Sequence, residues 1–175
     1  MIHLALLNGY RPQWVDALAE GIADAIPCPV RPASVDIDFD QAFAPNRHQY
    51  HATFLLGGLL RAQGLPQGKI LGITGVDLFI PVLTFVFGQS QLSGRAAVIS
   101  TFRLQNTFYG LAPNEGLLVE RAIKEAVHEL GHAFGLTHCA DYRCVMHASS
   151  NVDGVDVKDA RFCPVCRPTI ERAVS

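Results

Sequence analysis

The sequence predicts an α/β (α+β) protein, and three observations carry that expectation. An apolar run with strand character opens the chain, helical and strand-like patterns alternate through its first two-thirds, and a long amphipathic helix then leads into a closing segment rich in Cys, Asp, Gly and Pro. A length of 175 residues suits one domain with a substantial core. Apolar residues make up 49% and charged residues 17%, so there is enough surface to bury to offset the chain entropy of folding.

Ile2 to Leu7 reads as a buried strand. Arg11-Pro12 starts a helix, since proline is pre-set for a first helical turn, and Trp14, Leu18, Ile22 and Ile26 form its apolar stripe before Pro27 stops it. Val35, Ile37 and Phe39 alternate with Asp36, Asp38 and Asp40, the period-2 pattern of a strand with one solvated face. A calcium loop is excluded there, because Gln41 stands where such a loop needs glycine and Arg47 where it needs glutamate. From Asn46 as N-cap, a helix carrying Tyr50, Phe54, Leu55 and Leu59 is expected to run to Gly64. Three strand-like segments follow, Ile70 to Val76, Leu83 to Phe87 and Ala96 to Thr101, divided by Gly-containing turns. Pro113-Asn114-Glu115 then places a cap and a carboxylate at the positive end of a long helix with Val119, Ile123, Ala126, Val127 and Leu130 on its core side. Beyond Gly135 the periodicity vanishes, so that segment needs a tie other than a hydrophobic core.

The net charge of −2 comes from scattered residues, with no basic stripe to neutralise phosphates, so nucleic acid is not an expected partner. Leu78 to Phe87, the most apolar run, is broken by Pro81 and Thr84 and falls far short of the roughly 20 residues that span a bilayer. The first basic residue is Arg11 and the opening apolar run is short, which does not make a secretory signal; a cytoplasmic monomer without membrane contact is expected.

The segment HELGHAFGLTH carries the chemistry. His128 and His132 are four residues apart on a helix, about 40° from one another on one face, so both imidazoles reach one ion. Gly135 tolerates left-handed dihedrals, so the helix stops there and the chain turns back to deliver His138 as a third ligand. Three neutral imidazoles leave the fourth corner of a tetrahedral zinc open to water. Glu129 is placed beside that water as general base, to take its proton and pass it to the leaving amine of a peptide. A bare HExxH arises by chance on ordinary helices; the further Gly and third His at fixed offsets make the pattern specific to a catalytic zinc.

A second donor set follows. Cys139 directly succeeds His138, Cys144 comes five residues later, and Cys163-Pro164-Val165-Cys166 completes four thiolates for a closed structural zinc, giving two zinc ions per chain. Two disulfides are the alternative, disfavoured by the cytoplasmic assignment. Cys28 is left as a buried structural thiol.

The string HELGHAFGLTHCADYRCVMH followed by FCPVC resembles the archaemetzincins, zinc metallopeptidases of the metzincin clan forming peptidase family M54. The resemblance implies a five-stranded mixed sheet with backing helices and an active-site helix. It also implies a small zinc-stabilised C-terminal subdomain: one domain spans 1–175, with an N-terminal part at 1–135 and a C-terminal part at 136–175. Met146, eight residues past His138, takes the place of the Met-turn, an apolar floor below the zinc with no metal contact. By the same analogy the strand near Leu83 to Phe87 would be the cleft edge that pairs with an extended substrate.

The other histidines are bland. His3, His48 and His51 read as packing or surface residues, while His147, next to Met146, is a candidate for contact with the cleft; Tyr142 and Arg143 are candidates to shape a subsite. The function expected is a peptidase or aminopeptidase acting on peptides or exposed protein termini. A zinc-stabilised peptide-binding module and a nonpeptide amidase are the competing readings, and Glu129 beside an open coordination corner argues for the enzyme.

Overall fold

A strand with no polar face must be covered on both sides, and all six residues of Ile2–Leu7 (β1) are buried. The structure is a computed structural model describing residues 1–174. After β1 come α1 (Val15–Ala25), β2 (Val30–Val35), the short β3 (Phe43–Ala44) and β4 (Gln49–His51), then α2 (Ala52–Arg61), β5 (Lys69–Thr74), β6 (Leu78–Phe79), β7 (Gly88–Ser90) and β8 (Ala96–Ser100). The helices α3 (Glu115–Ala133), α4 (Val152–Val157) and α5 (Arg167–Val174) complete the chain.

The main sheet has five strands in the order β2-β1-β5-β8-β7, and β3, β4 and β6 form a small second sheet. Four strands of the main sheet run parallel, while β7 pairs antiparallel with β8 at the edge, from Gly88 opposite Ile99 to Ser90 opposite Ala97. Alternation along β1 divides the core. Ile2, Leu4 and Leu6 pack with Leu18 and Ile22 of α1 and with Ala126, Val127 and Leu130 of α3, whereas Ala5 and Leu7 pack with Leu55 and Leu59 of α2 on the other face. The five-stranded mixed sheet and its backing helices are thus present.

Element positions differ from the sequence expectation where pairing is decided by distant residues. The strand expected at Val35, Ile37 and Phe39 ends at Val35, and its six residues start at Val30, in register with β1 from Ile2 to Leu7. Arg31 and Pro32 hid it, since an edge strand tolerates both and shows no alternation. Ile37 instead exchanges two 2.9 Å hydrogen bonds with the Asn8 side chain, and Asp38 accepts from the Asp40 amide at 2.9 Å, so the Asp run forms a turn rather than a solvated strand face. The helix expected from Asn46 begins at Ala52, because His48 has φ +53° and the Tyr50 amide bonds the Asp77 carbonyl at 2.8 Å to make β4. The strand placed at Leu83 to Phe87 lies just beyond it, at β7, leaving Leu83 to Phe87 as an irregular wall. Among the described residues no helix is long and apolar enough to cross a membrane.

Residues after Gly135 form two short helices that sequence periodicity does not show, α4, capped by Asn151 on the Gly154 amide at 2.9 Å, and α5, which buries only Ile170. Polar ties fix this segment to α3. Arg121, 5% exposed, holds Asp156 through two 2.7 Å bonds, and the fully buried Lys158 pairs with Glu125 of α3 at 2.8 Å. A buried ion pair is costly to break from one side, because the remaining charge has no solvent to turn to. Lys158→Met is therefore expected to lower unfolding free energy by about 3–5 kcal/mol, with Glu125→Gln added in the same chain recovering much of it. Urea unfolding of the full-length variants checks this; a loss below about 1 kcal/mol for Lys158→Met would contradict it.

Candidate active site and metal centres

Helix α3 starts on a side-chain cap, with Asn114 Oδ1 accepting from the Leu117 amide at 3.0 Å, and its last two turns carry His128, Glu129 and His132. At its end Gly135 takes φ +102°, a conformation that side chains resist. The Leu136 amide bonds the Gly131 carbonyl and the Gly135 amide bonds the His132 carbonyl, both at 2.9 Å, closing the helix in a Schellman turn. The chain then doubles back, and His138 arrives beside the other two rings, with ligand nitrogens of all three within 4.8 Å of one another.

Two backbone carbonyls decide which nitrogens face inward. His128 Nδ1 lies 2.8 Å from the Val145 carbonyl and His132 Nδ1 lies 2.7 Å from the Leu136 carbonyl. A carbonyl only accepts, so each Nδ1 carries the proton and each Nε2 a lone pair. Those two Nε2 atoms are 3.1 Å apart. Burial, and then the nearby Lys158 ammonium, hold His128 well below the ordinary imidazole value, and burial lowers His138 as well. Neutral rings with lone pairs this close repel unless a cation lies between them, which is the donor set a divalent metal requires.

Glu129 is 6% exposed, and burial followed by the charge of Glu125 raises its carboxyl well above the usual range, with Lys158 opposing. Its side chain lies flat against the edge strand. A Cβ at Gly88 would stand 2.7 Å from Glu129 Cγ, 2.9 Å from Oε1 and 2.7 Å from the Val98 carbonyl, so only glycine lets β7 approach this closely. Since β7 is the last strand of the sheet, its outer edge offers unpaired backbone groups along a cleft of about 700 Å³. The three imidazoles, Glu125, Glu129, the aromatic wall of Phe85 and Phe87, and the Ala148 to Ser150 loop line it.

The four cysteine thiols Cys139, Cys144, Cys163 and Cys166 also lie within 4.8 Å of one another. The Cys139 and Cys163 sulfurs are 3.8 Å apart, too far for a disulfide, and the thiols are free. Burial pushes the Cys163 thiol up, but amide hydrogen bonds from Cys166 and Val165 and thiol contacts outweigh it and bring it to about 7. A sulfur that ionises near neutrality amid three others fits a soft, tetrahedral cation. This cluster and the imidazoles share one loop: the Cys139 amide bonds the Met146 carbonyl at 3.0 Å, and Met146 is fully buried against α3 at Gly131.

The remaining candidates separate clearly. His147 Nδ1 contacts the Cys139 carbonyl at 3.0 Å, bracing the loop that carries His138. His51 packs on Phe54 and Phe79 at 5.2 and 5.1 Å, and His3 meets the Gln67 carbonyl at 3.4 Å, so both are packing residues. Tyr142 is exposed, Arg143 pairs with Asp159 at 3.3 Å, and neither lines the cleft; Cys28 is half-buried. Three residues beside the imidazoles were not singled out from sequence: Glu125, Lys158 and Gly88. Glu125 had a signal, four residues before Glu129 and three before His128 on the same helical face.

Two imidazole lone pairs on a helix, with a third ring beside them beneath an antiparallel edge strand, form a donor set fit for a divalent metal. Residues 33–172 match the model of peptidase family M54. Archaemetzincin of Methanocaldococcus jannaschii is 42% identical over 139 residues, covering 79% of this chain and 74% of that protein. Archaemetzincin of Thermococcus kodakarensis is 37% identical over 174 residues, covering 94% and 92%. The crystal structure of archaemetzincin from Methanopyrus kandleri superimposes with a TM-score of 0.87 at 36% identity, covering 99% of this chain and 94% of that one. The chain belongs to peptidase family M54, the archaemetzincins.

The lowered His128 value makes a linkage prediction for the metal-free protein. The native state binds fewer protons at this ring than the unfolded chain, so the associated stability is present above the ordinary imidazole value of about 6.5 and is lost as pH falls below it. The raised Glu129 works in the opposite direction, which makes a comparison between variants the clean measurement. With chelator present, His128→Asn should lose less stability than wild type between about pH 7 and pH 5 in urea titrations. Parallel pH profiles for the two proteins would sink this account of the ring.

Proposed function

We propose that His128, His132 and His138 hold the catalytic zinc, that Glu129 is the general base, and that Cys139, Cys144, Cys163 and Cys166 hold a second, structural zinc. The observation that supports this most is the pair of Nδ1 to carbonyl hydrogen bonds that turn two lone pairs toward one point 3.1 Å across. When bound, zinc supplies Lewis acidity, polarising the scissile carbonyl and acidifying the attacking water. Glu129 takes the proton from that water and gives it to the leaving amine, from a position fixed by the edge strand at Gly88. The β7 edge aligns the substrate as an added strand, and Phe85 and Phe87 keep one side of the cleft dry. Met146 serves as the apolar floor of the site.

On this reading the chain is one functional unit, in which residues 136–175 act as a zinc-tied support for the helix above. Substrates are peptides and exposed protein termini, with aminopeptidase action as the specific form. Elemental analysis should find two zinc ions per chain in both wild type and Glu129→Gln. A peptide-library digest by wild type should be chelator-sensitive and favour free amino termini, while Glu129→Gln turns over at least about 10²-fold more slowly. Equal turnover by the variant would remove Glu129 as base; no zinc-dependent cleavage by wild type would favour a peptide-binding module.

A further inference from the structure

Next to the cleft is an apolar surface that the reaction does not use. Phe85 lines the cleft and also packs against the Arg103 guanidinium at 4.3 Å, and the Phe108 ring packs against the same guanidinium at 4.7 Å. Phe108 in turn meets Phe102 and Tyr109 edge-on at 5.4 and 5.0 Å. Phe108 and Tyr109 are each 41% exposed and Leu111 is 60% exposed, so the cluster presents rings to solvent instead of hiding them.

The surface is built rigidly. Arg103 binds Asp77 through two 2.7 Å hydrogen bonds, Asp77 accepts from Gln49 at 3.0 Å, and Tyr109 donates to the Arg103 carbonyl at 2.8 Å. Arg47 donates to the Leu83 and Thr84 carbonyls at 3.0 and 2.8 Å, fixing the cleft wall into the same network. Exposed rings held in place by such a hydrogen-bond network form a surface suited to binding an apolar group. Because the guanidinium is already neutralised by Asp77, the patch offers apolar and aromatic contact rather than charge.

We propose that this aromatic shelf extends the substrate cleft and takes an apolar or aromatic side chain of the peptide at a distance from the scissile bond. The proposal rests on the peptidase reading above. Continuity selects the occupant: Leu83 and Phe85 belong to the cleft wall and Phe85 to the shelf, so a peptide running along the wall meets the shelf next. Preorganised rings cost little conformational entropy to engage, which makes such a contact effective for an extended, flexible ligand.

The test uses zinc-loaded wild type and the Phe108→Ser/Leu111→Ser variant with three peptides sharing the residues around the scissile bond. One is short, one carries Gly-Ser extensions on both sides, and one carries Phe-Leu extensions on both sides. Wild type should show kcat/KM at least about tenfold higher for the Phe-Leu peptide than for the Gly-Ser peptide, the scale of one buried apolar side chain. The variant should lose that gain and cleave the short peptide as wild type does. Equal rates on both extensions, or a variant slowed equally on the short peptide, would overturn the proposal. So would sedimentation showing a wild-type dimer that the variant dissolves, since the shelf would then join two copies. If wild type cleaves none of the three, the peptidase reading fails by itself. The shelf is then judged by anisotropy of the labelled peptides, where about tenfold weaker binding of the Phe-Leu peptide to the variant supports it and equal binding rejects it.

Discussion

The structure depends on a repulsion. Two imidazoles are held with their lone pairs 3.1 Å apart by carbonyls of Val145 and Leu136, neither of which belongs to the helix that carries the rings. Without those carbonyls the rings would be free to turn away; with them, the two lone pairs face one point as the donors of a divalent cation would. Hence those two hydrogen bonds tie the helix end, the turn at Gly135 and the loop before Met146 to one another.

That requirement explains the tail of the chain. Residues after Gly135 bury Leu136, Val145, Met146, Val155, Phe162 and Ile170 in the core shared with β1, α1 and α3, which sequence periodicity does not show, and they supply the Val145 carbonyl and His138. Charges and thiols add to that burial: Arg121 on Asp156, Lys158 on Glu125, and four cysteines around one point. Each tie ends on α3 or on the loop beside it. Lys158 does two things at once, anchoring the segment and placing a positive charge close to His128, which discourages protonation of that ring.

Sequence made the helical part of this legible because its geometry is local. The spacing of His128, Glu129 and His132, the glycine at 135 and the cysteine pairs are each read within a few residues, and the structure brings both donor sets together. What escaped depends on partners far along the chain. β2 is a strand because β1 lies beside it, despite Arg31 and Pro32; β4 breaks the helix expected from Asn46 because Asp77 is there to receive the Tyr50 amide. Lys158 sits in a polar stretch with nothing nearby to announce that its ammonium is buried. The helices α4 and α5 are too short and too weakly apolar to show a period.

The glycine at position 88 leaves one further mark on how such a molecule can change over time. It stands on a different element from the helix that carries His128, Glu129 and His132, yet a single added methyl there would wedge between the sheet and the Glu129 carboxylate. Descendants of this chain thus have a one-step change that displaces the Glu129 carboxylate while keeping both donor sets intact.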